Sequence, residues 1–138
     1  MIEFFMPMQV PTATHQQKKV STKSKSGKPI FYEDADLKSA RAKFMAYLGK
    51  AVPNEKLTGP IRLTTWWLFE TKSKKKEGTY KTTRPDTDNL IKLLKDCMTK
   101  LGYWEDDAQV ASEVTEKYWA AEVPGIYVKI EVLGNEGN

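Results

Sequence analysis

The chain has 138 residues, 40% of them apolar and 29% charged, with a single cysteine, Cys97. That length supports one modest core and leaves little room for a second domain. Its longest apolar run, Phe44-Met45-Ala46-Tyr47-Leu48, is five residues, and Trp66-Trp67-Leu68-Phe69 and Tyr118-Trp119-Ala120-Ala121 are four, against the ~20 that a membrane-spanning helix needs, so a membrane protein of that kind is excluded. Residues 1–7 lack the basic start and apolar stretch of a secretory signal, and one cysteine forms no internal disulfide. A reducing, cytoplasmic setting is expected.

The net charge of +4 is unevenly placed. Residues 15–28 hold Lys18, Lys19, Lys23, Lys25 and Lys28 with no acid, and residues 72–84 hold Lys72, Lys74, Lys75, Lys76, Lys81 and Arg84 against Glu77. These 27 positions carry 11 of the 22 basic residues and 1 of the 18 acids, which leaves an acidic body of net −6. One such stretch is ordinarily a solvated loop. Two in one small domain point equally to a polyanion partner, most simply nucleic-acid phosphate.

Along the chain, residues 2–10 alternate Ile2, Phe4, Met6, Met8 and Val10 with other positions and predict a strand with one buried face, for which Pro7 suggests a sheet edge or an early end. Residues 11–29 show no apolar period and read as a long mobile basic loop. From Glu33 to about Gly49, Leu37, Ala40, Phe44, Tyr47 and Leu48 recur at helical spacing, with acids early and bases late as the helix dipole favours. Ile61 to Phe69 predicts a strand apolar on much of both faces, and a second mobile basic loop, 71–85, follows it. From Asp88 to Leu101 the stripe Leu90, Leu93, Leu94, Cys97, Met98 and Leu101 predicts a second helix, with Asp88 as N-cap and Gly102 as its stop. Val110 to Tyr118 and Ile126 to Val132 are alternating runs around Pro124-Gly125, expected as an antiparallel hairpin. Residues 134–138 form a polar tail. The order β-α-β-α-β-β implies a single α+β domain over 1–138, a small mixed sheet with two helices.

Chemistry concentrates after the second basic loop. Asp86 and Asp88 begin the second helix, and Glu105, Asp106 and Asp107 follow its end. A helix over 88–101 is ~20 Å long, so the two acidic groups meet only if residues 102–107 fold back toward its start. Carboxylates brought together would repel unless neutralised, and a hard cation such as Mg²⁺, with Mn²⁺ as a substitute, neutralises them. Such an ion keeps open positions for a phosphate oxygen and a water nucleophile. The alternative is that the aspartates only cap the helix and complement its dipole. Lys92, four residues after Asp88, either makes an exposed ion pair with it or holds the scissile phosphate.

Other chemistries lack material. The one histidine, His15, falls in the first basic loop, which disfavours triads and zinc sites. Cys97 lies in the apolar stripe and reads as core rather than nucleophile. No Gly-rich phosphate loop or dinucleotide fingerprint is present, so no organic cofactor is expected. Trp66 and Trp104 read as core, with base stacking the alternative.

The run Arg84-Pro85-Asp86-Thr87-Asp88-Asn89-Leu90-Ile91-Lys92, then Gly102-Tyr103-Trp104-Glu105-Asp106-Asp107-Ala108-Gln109-Val110, closely resembles the RusA family of Holliday junction resolvases, which are crossover junction endodeoxyribonucleases. The match covers 84–110 and couples the two blocks through an amphipathic helix in one order and spacing. The resemblance implies a homodimeric, Mg²⁺-dependent endonuclease acting on four-way DNA junctions in recombination and repair, often encoded by phages and prophages. By position, the family's metal-binding aspartates are Asp86, Asp88 and Asp107 and its catalytic lysine is Lys92, with Asp106 adjacent as support or substitute. Two sites related by a dimer axis would nick opposed strands of a near-symmetric junction. Mostly lysine, rather than arginine, precedes the first aspartate, and Pro85 intervenes. Rival readings are a non-catalytic nucleic-acid-binding module and a nuclease acting on forks, flaps or single strands.

Overall fold

A computed structural model describes residues 1–12, 18–21, 30–33 and 35–134, and the side chains of 1–12 and 35–134. His15, Lys23, Lys25, Lys28 and the end of the polar tail lie outside the described residues. Strand β1 (Ile2–Pro7) is followed by β2 (Lys18–Ser21), β3 (Ile30–Glu33), α1 (Ala35–Ala51), β4 (Ile61–Glu70), α2 (Thr87–Leu101), β5 (Val110–Ala120) and β6 (Gly125–Val132). The β-α-β-α-β-β order expected for the body is present. Within the stretch read as a mobile loop, β2 forms an antiparallel pair with β3, which directly follows that stretch and ends at Glu33, where the sequence predicts the first helix to begin.

The main sheet is mixed, in the order β1-β6-β4-β5. β4 lies between β6, antiparallel to it, and β5, parallel to it. The expected hairpin of β5 and β6 is therefore wrong: residues 121–124 carry the chain past β4 rather than turning it onto a neighbour. β4 can take the interior because Ile61, Leu63, Thr65, Trp67 and Phe69 are all buried on one face, with Trp66 and Leu68 apolar on the other. β5 carries Ser112, Glu113, Glu116 and Lys117, which suit an edge. β1 is the other edge and ends at Pro7, so both readings of that proline hold. The ring of Phe5 on β1 lies against Gly125, where an added Cβ would meet it at 2.5 Å and the Met6 carbonyl at 2.5 Å. Glycine there is what lets the two strands close.

Both helices cover the face that carries Trp67. Phe44 of α1 meets its ring edge-on at 6.0 Å, and Lys95 of α2 pairs with Glu113 of β5 at 2.8 Å. Arg41 and Asp96 link the helices at 2.5 Å. The indole of Trp67, fully buried, donates to Thr65 Oγ1 at 2.8 Å, so the polar atom it brings into the core is satisfied. A buried ring of this size contributes about 3–5 kcal/mol relative to alanine. The opposite face carries Phe5, Tyr127, Trp66 and Tyr118, with Trp66 in ring contact with both tyrosines. No helix of the described residues is long and apolar enough to cross a membrane.

α2 ends as its sequence requires. Gly102 adopts φ 90°, its N–H donates to Thr99 O at 3.1 Å and the Tyr103 N–H to Met98 O at 3.0 Å, so two of the last carbonyls are satisfied. Cys97 is fully buried in the stripe, and burial pushes its thiol from 9.0 up to about 11. At pH 8 the folded protein should react with a thiol reagent about 100-fold more slowly than the urea-unfolded chain, the ratio of the two thiolate fractions. Equal rates would place Cys97 outside the core. Because the folded pKa is the higher one, this group's contribution to stability is intact below pH 9 and is lost as the pH rises toward 11.

Candidate functional site

The lysine-rich stretch after β4 is laid along the outer edge of β5. Trp119 N donates to Thr79 O, Gly78 N to Trp119 O and Lys81 N to Lys117 O, each at 2.9 Å. A 3-10 turn spans Lys74–Lys76. Lys72, Lys74, Lys75 and Arg84 are exposed, and Lys76 is exposed with its Nζ 5.5 Å from the centre of the Trp119 ring. Lys81 differs from them. It is 7% exposed, its Nζ lies 5.1 Å from the Phe69 ring centre and 4.6 Å from that of Trp119, and it donates to Thr83 Oγ1. Burial and the Lys117 ammonium hold its pKa below the usual lysine value. Lys81 is thus turned inward, away from a phosphate. Lys18 and Lys19 lie on β2.

This stretch delivers the chain to α2. Asp86, not Asp88, is the N-cap: its backbone is extended (φ −72°, ψ 149°) and its carbonyl accepts from Leu90 N at 3.2 Å. The cap stands two residues earlier than expected, which puts Asp88 inside the first turn. The Asp86 carboxylate makes no capping hydrogen bond. Asp86, Asp88 and Lys92 are all exposed, and among the described residues no ion pair joins Asp88 to Lys92. Bland capping therefore does not occupy the Asp86 side chain, and the bland ion pair does not occupy Asp88 or Lys92. Next to them Asn89, half-buried, keeps a buried Oδ1 without a partner.

The two aspartates after α2 are unlike each other. Asp106 caps a 3-10 turn over Asp107–Gln109, accepting from Ala108 N at 2.9 Å. Gln109 completes the box: its Oε1 accepts from Asp106 N at 3.2 Å, and its Nε2 donates to the carbonyls of Leu57 at 3.0 Å and Gly59 at 3.2 Å. The Gln of the motif thus ties the start of β5 to the loop before β4, a role its sequence did not disclose. Asp107 is exposed and leads into β5. Of the adjacent pair, Asp106 does structural work and Asp107 is the one with no such task.

The acidic groups do not converge within one chain. Residues 102–109 stay at the C-terminal end of α2: Tyr103 donates to Leu48 O at 2.5 Å, Leu57 bridges to Trp104, and β5 begins beside Ile61. Asp86 and Asp88 lie at one end of a 15-residue helix and Asp107 beyond the other, a helix length of ~22 Å. Among the described residues no group of three or more His, Cys, Asp or Glu side chains is placed to hold a metal ion. The donor chemistry nonetheless fits a hard divalent cation, since exposed carboxylates are the ligands such an ion takes. Trp104 is fully buried and donates to Thr99 Oγ1 at 2.7 Å, while Trp66 is 40% exposed on the open sheet face. Lys117, not among the residues singled out from sequence, donates from Nζ to Thr83 O at 2.7 Å and to Pro85 O at 2.8 Å.

Two comparisons bear on this arrangement. The family model described as endodeoxyribonuclease RusA matches residues 8–131, which takes in β4, β5, nearly all of β6, both helices and both acidic blocks and leaves out β1. The chain is also 37% identical over 110 residues to a protein of Lactococcus phage r1t named crossover junction endodeoxyribonuclease rusA, covering 78% of this chain and 81% of that one. With the Asp86–Lys92 block opening α2 and the Asp107–Gln109 block closing its far end, the chain belongs to the RusA family of endodeoxyribonucleases.

Proposed function

We propose that this chain is a Mg²⁺-dependent endonuclease that resolves four-way DNA junctions by paired, symmetric nicks, working as a homodimer in the reducing cytoplasm. The observation that carries the reading is the end of α2: two exposed aspartates and Lys92, with the basic stretch 72–84 leading directly into them. The phage relative's name supports the choice of a junction as substrate.

Asp86 and Asp88 would hold the ion, with Mn²⁺ as a substitute. When bound, it would polarise a phosphate oxygen and acidify a water. Lys92, one helical turn beyond Asp88, faces the charge that develops on the phosphate. Lys72, Lys74, Lys75 and Arg84 bind the flanking backbone and offset the repulsion between phosphates and aspartates; Lys18, Lys19, Lys23, Lys25 and Lys28 form the second basic stretch for the same partner. Asp107 reaches the site from a second copy. A twofold axis that sets α2 antiparallel to its counterpart brings each Asp86 and Asp88 pair to the partner's Asp107, so dimerisation both completes the carboxylate set and pairs the two nicks.

The direct test incubates the protein with an end-labelled four-way junction, a fork and a matched duplex, with Mg²⁺ or with EDTA. Paired nicks confined to the junction and dependent on Mg²⁺ are expected. Faster cleavage of the fork would identify a nuclease for that structure, and tight, salt-sensitive junction binding without nicks would identify a binding module.

A further inference from the structure

We infer that Lys117 is a positioning residue for the acidic end of α2: its ammonium group, carried on β5, pins the three residues that lead into Asp86. The inference rests on the reading of Asp86 and Asp88 as the reactive end of the molecule. The cap side chain forms no bond to its own helix, so the Asp86 carboxylate takes its place from the backbone that enters α2. That backbone is held by Lys117 through Thr83 O at 2.7 Å and Pro85 O at 2.8 Å. Lys81 reinforces the hold. Its N–H donates to the Lys117 carbonyl at 2.9 Å and its ammonium to Thr83 Oγ1, so both lysines converge on residues 83–85.

The anchor itself is firm. Lys117, on the edge strand β5, sits in register with the fully buried Trp67 of the interior strand β4. Bonds from a charged donor are about twice as strong as neutral ones, and two of them on carbonyls two residues apart fix both position and direction of the segment. An ammonium so engaged is turned to the protein rather than to a phosphate. Its loss should therefore act on turnover and leave DNA affinity alone, unlike loss of Lys74 or Lys75.

The test measures three quantities on the full chain: kcat for junction nicking with Mg²⁺, junction Kd in EDTA, and exchange of the Leu90 amide, which donates to the Asp86 carbonyl. Lys117→Met is expected to lower kcat ~100-fold, the scale of a misplacement of about 1 Å, with Kd within about threefold and Leu90 exchange about tenfold faster or more. Lys117→Arg, which keeps a charged donor over both carbonyls, should recover kcat to within about fivefold. Wild-type kcat or wild-type Leu90 exchange in Lys117→Met overturns the inference, as does a Kd that rises in step with the fall in kcat, the mark of a phosphate contact. If Lys117→Met does not fold, Lys117→Leu, which likewise carries no donor, gives the same readings. If the unmutated protein cuts no DNA, the nuclease reading fails and Leu90 exchange alone decides the role of Lys117.

Discussion

Asp88→Asn is expected to lower Mg²⁺-dependent junction nicking by ~10³-fold or more while leaving junction affinity in EDTA equal or tighter. The substitution keeps the size of the side chain and removes its charge, so a hard cation loses an anionic ligand. As a helix-dipole partner the same carboxylate is worth only about 0.3–1 kcal/mol, which would shift melting by a few degrees at most. The two roles differ by orders of magnitude in what they do to turnover, and the fold survives in either case. Binding in EDTA should not weaken, because one of two neighbouring anions that repel the phosphates is gone. Nicking within about tenfold of wild type would reduce Asp88 to a helix-terminus charge and move the site elsewhere.

The second large effect is complementation. Asp88→Asn and Asp107→Asn should each be inactive alone, and a mixture of the two, refolded together so that subunits exchange, should regain nicking. In a mixed dimer one site joins both altered residues, while the other takes Asp88 from one protomer and Asp107 from its partner and is intact. About half the dimers in an equal mixture are mixed, each with one working site. Recovery of about a quarter of wild-type site activity, as single nicks rather than paired ones, is expected. A mixture as inactive as its components would show that each site draws all its aspartates from one chain. That result would require residues 102–109 to leave the C-terminal end of α2, where Tyr103 and Gln109 bind them to Leu48 and Leu57.

The local features were legible because local periodicity encodes them. The α2 stripe from Leu90 to Met98 is buried as its spacing predicts, and Gly102 stops the helix through a positive φ. The edge position of β1 was readable from Pro7, and Cys97 as core from its place in the stripe. The arrangement of β5 and β6 was not, because adjacency depends on which third strand inserts between them, and β4, with one fully buried face and Trp66 and Leu68 on the other, is that strand. The sequence groups Lys81 with Lys72 and Lys75 as a phosphate ligand, since lysines in one run look alike. Only the rings of Phe69 and Trp119, brought in from β4 and β5, single it out as buried.

The site divides in the same way. Which residue types carry the chemistry, in which order and around which helix, is a property of the chain: Asp86, Asp88 and Lys92 share one helix end because α-helical geometry puts them there whatever surrounds them. The tertiary structure alone decided that Asp106 is spent on a cap while Asp107 is not, that Lys117 reaches back to residues 83–85, and that the two acidic blocks stand a helix apart. Those outcomes turn on contacts between residues distant in sequence, whose geometry is set by how the sheet and helices pack and not by any local pattern of side chains.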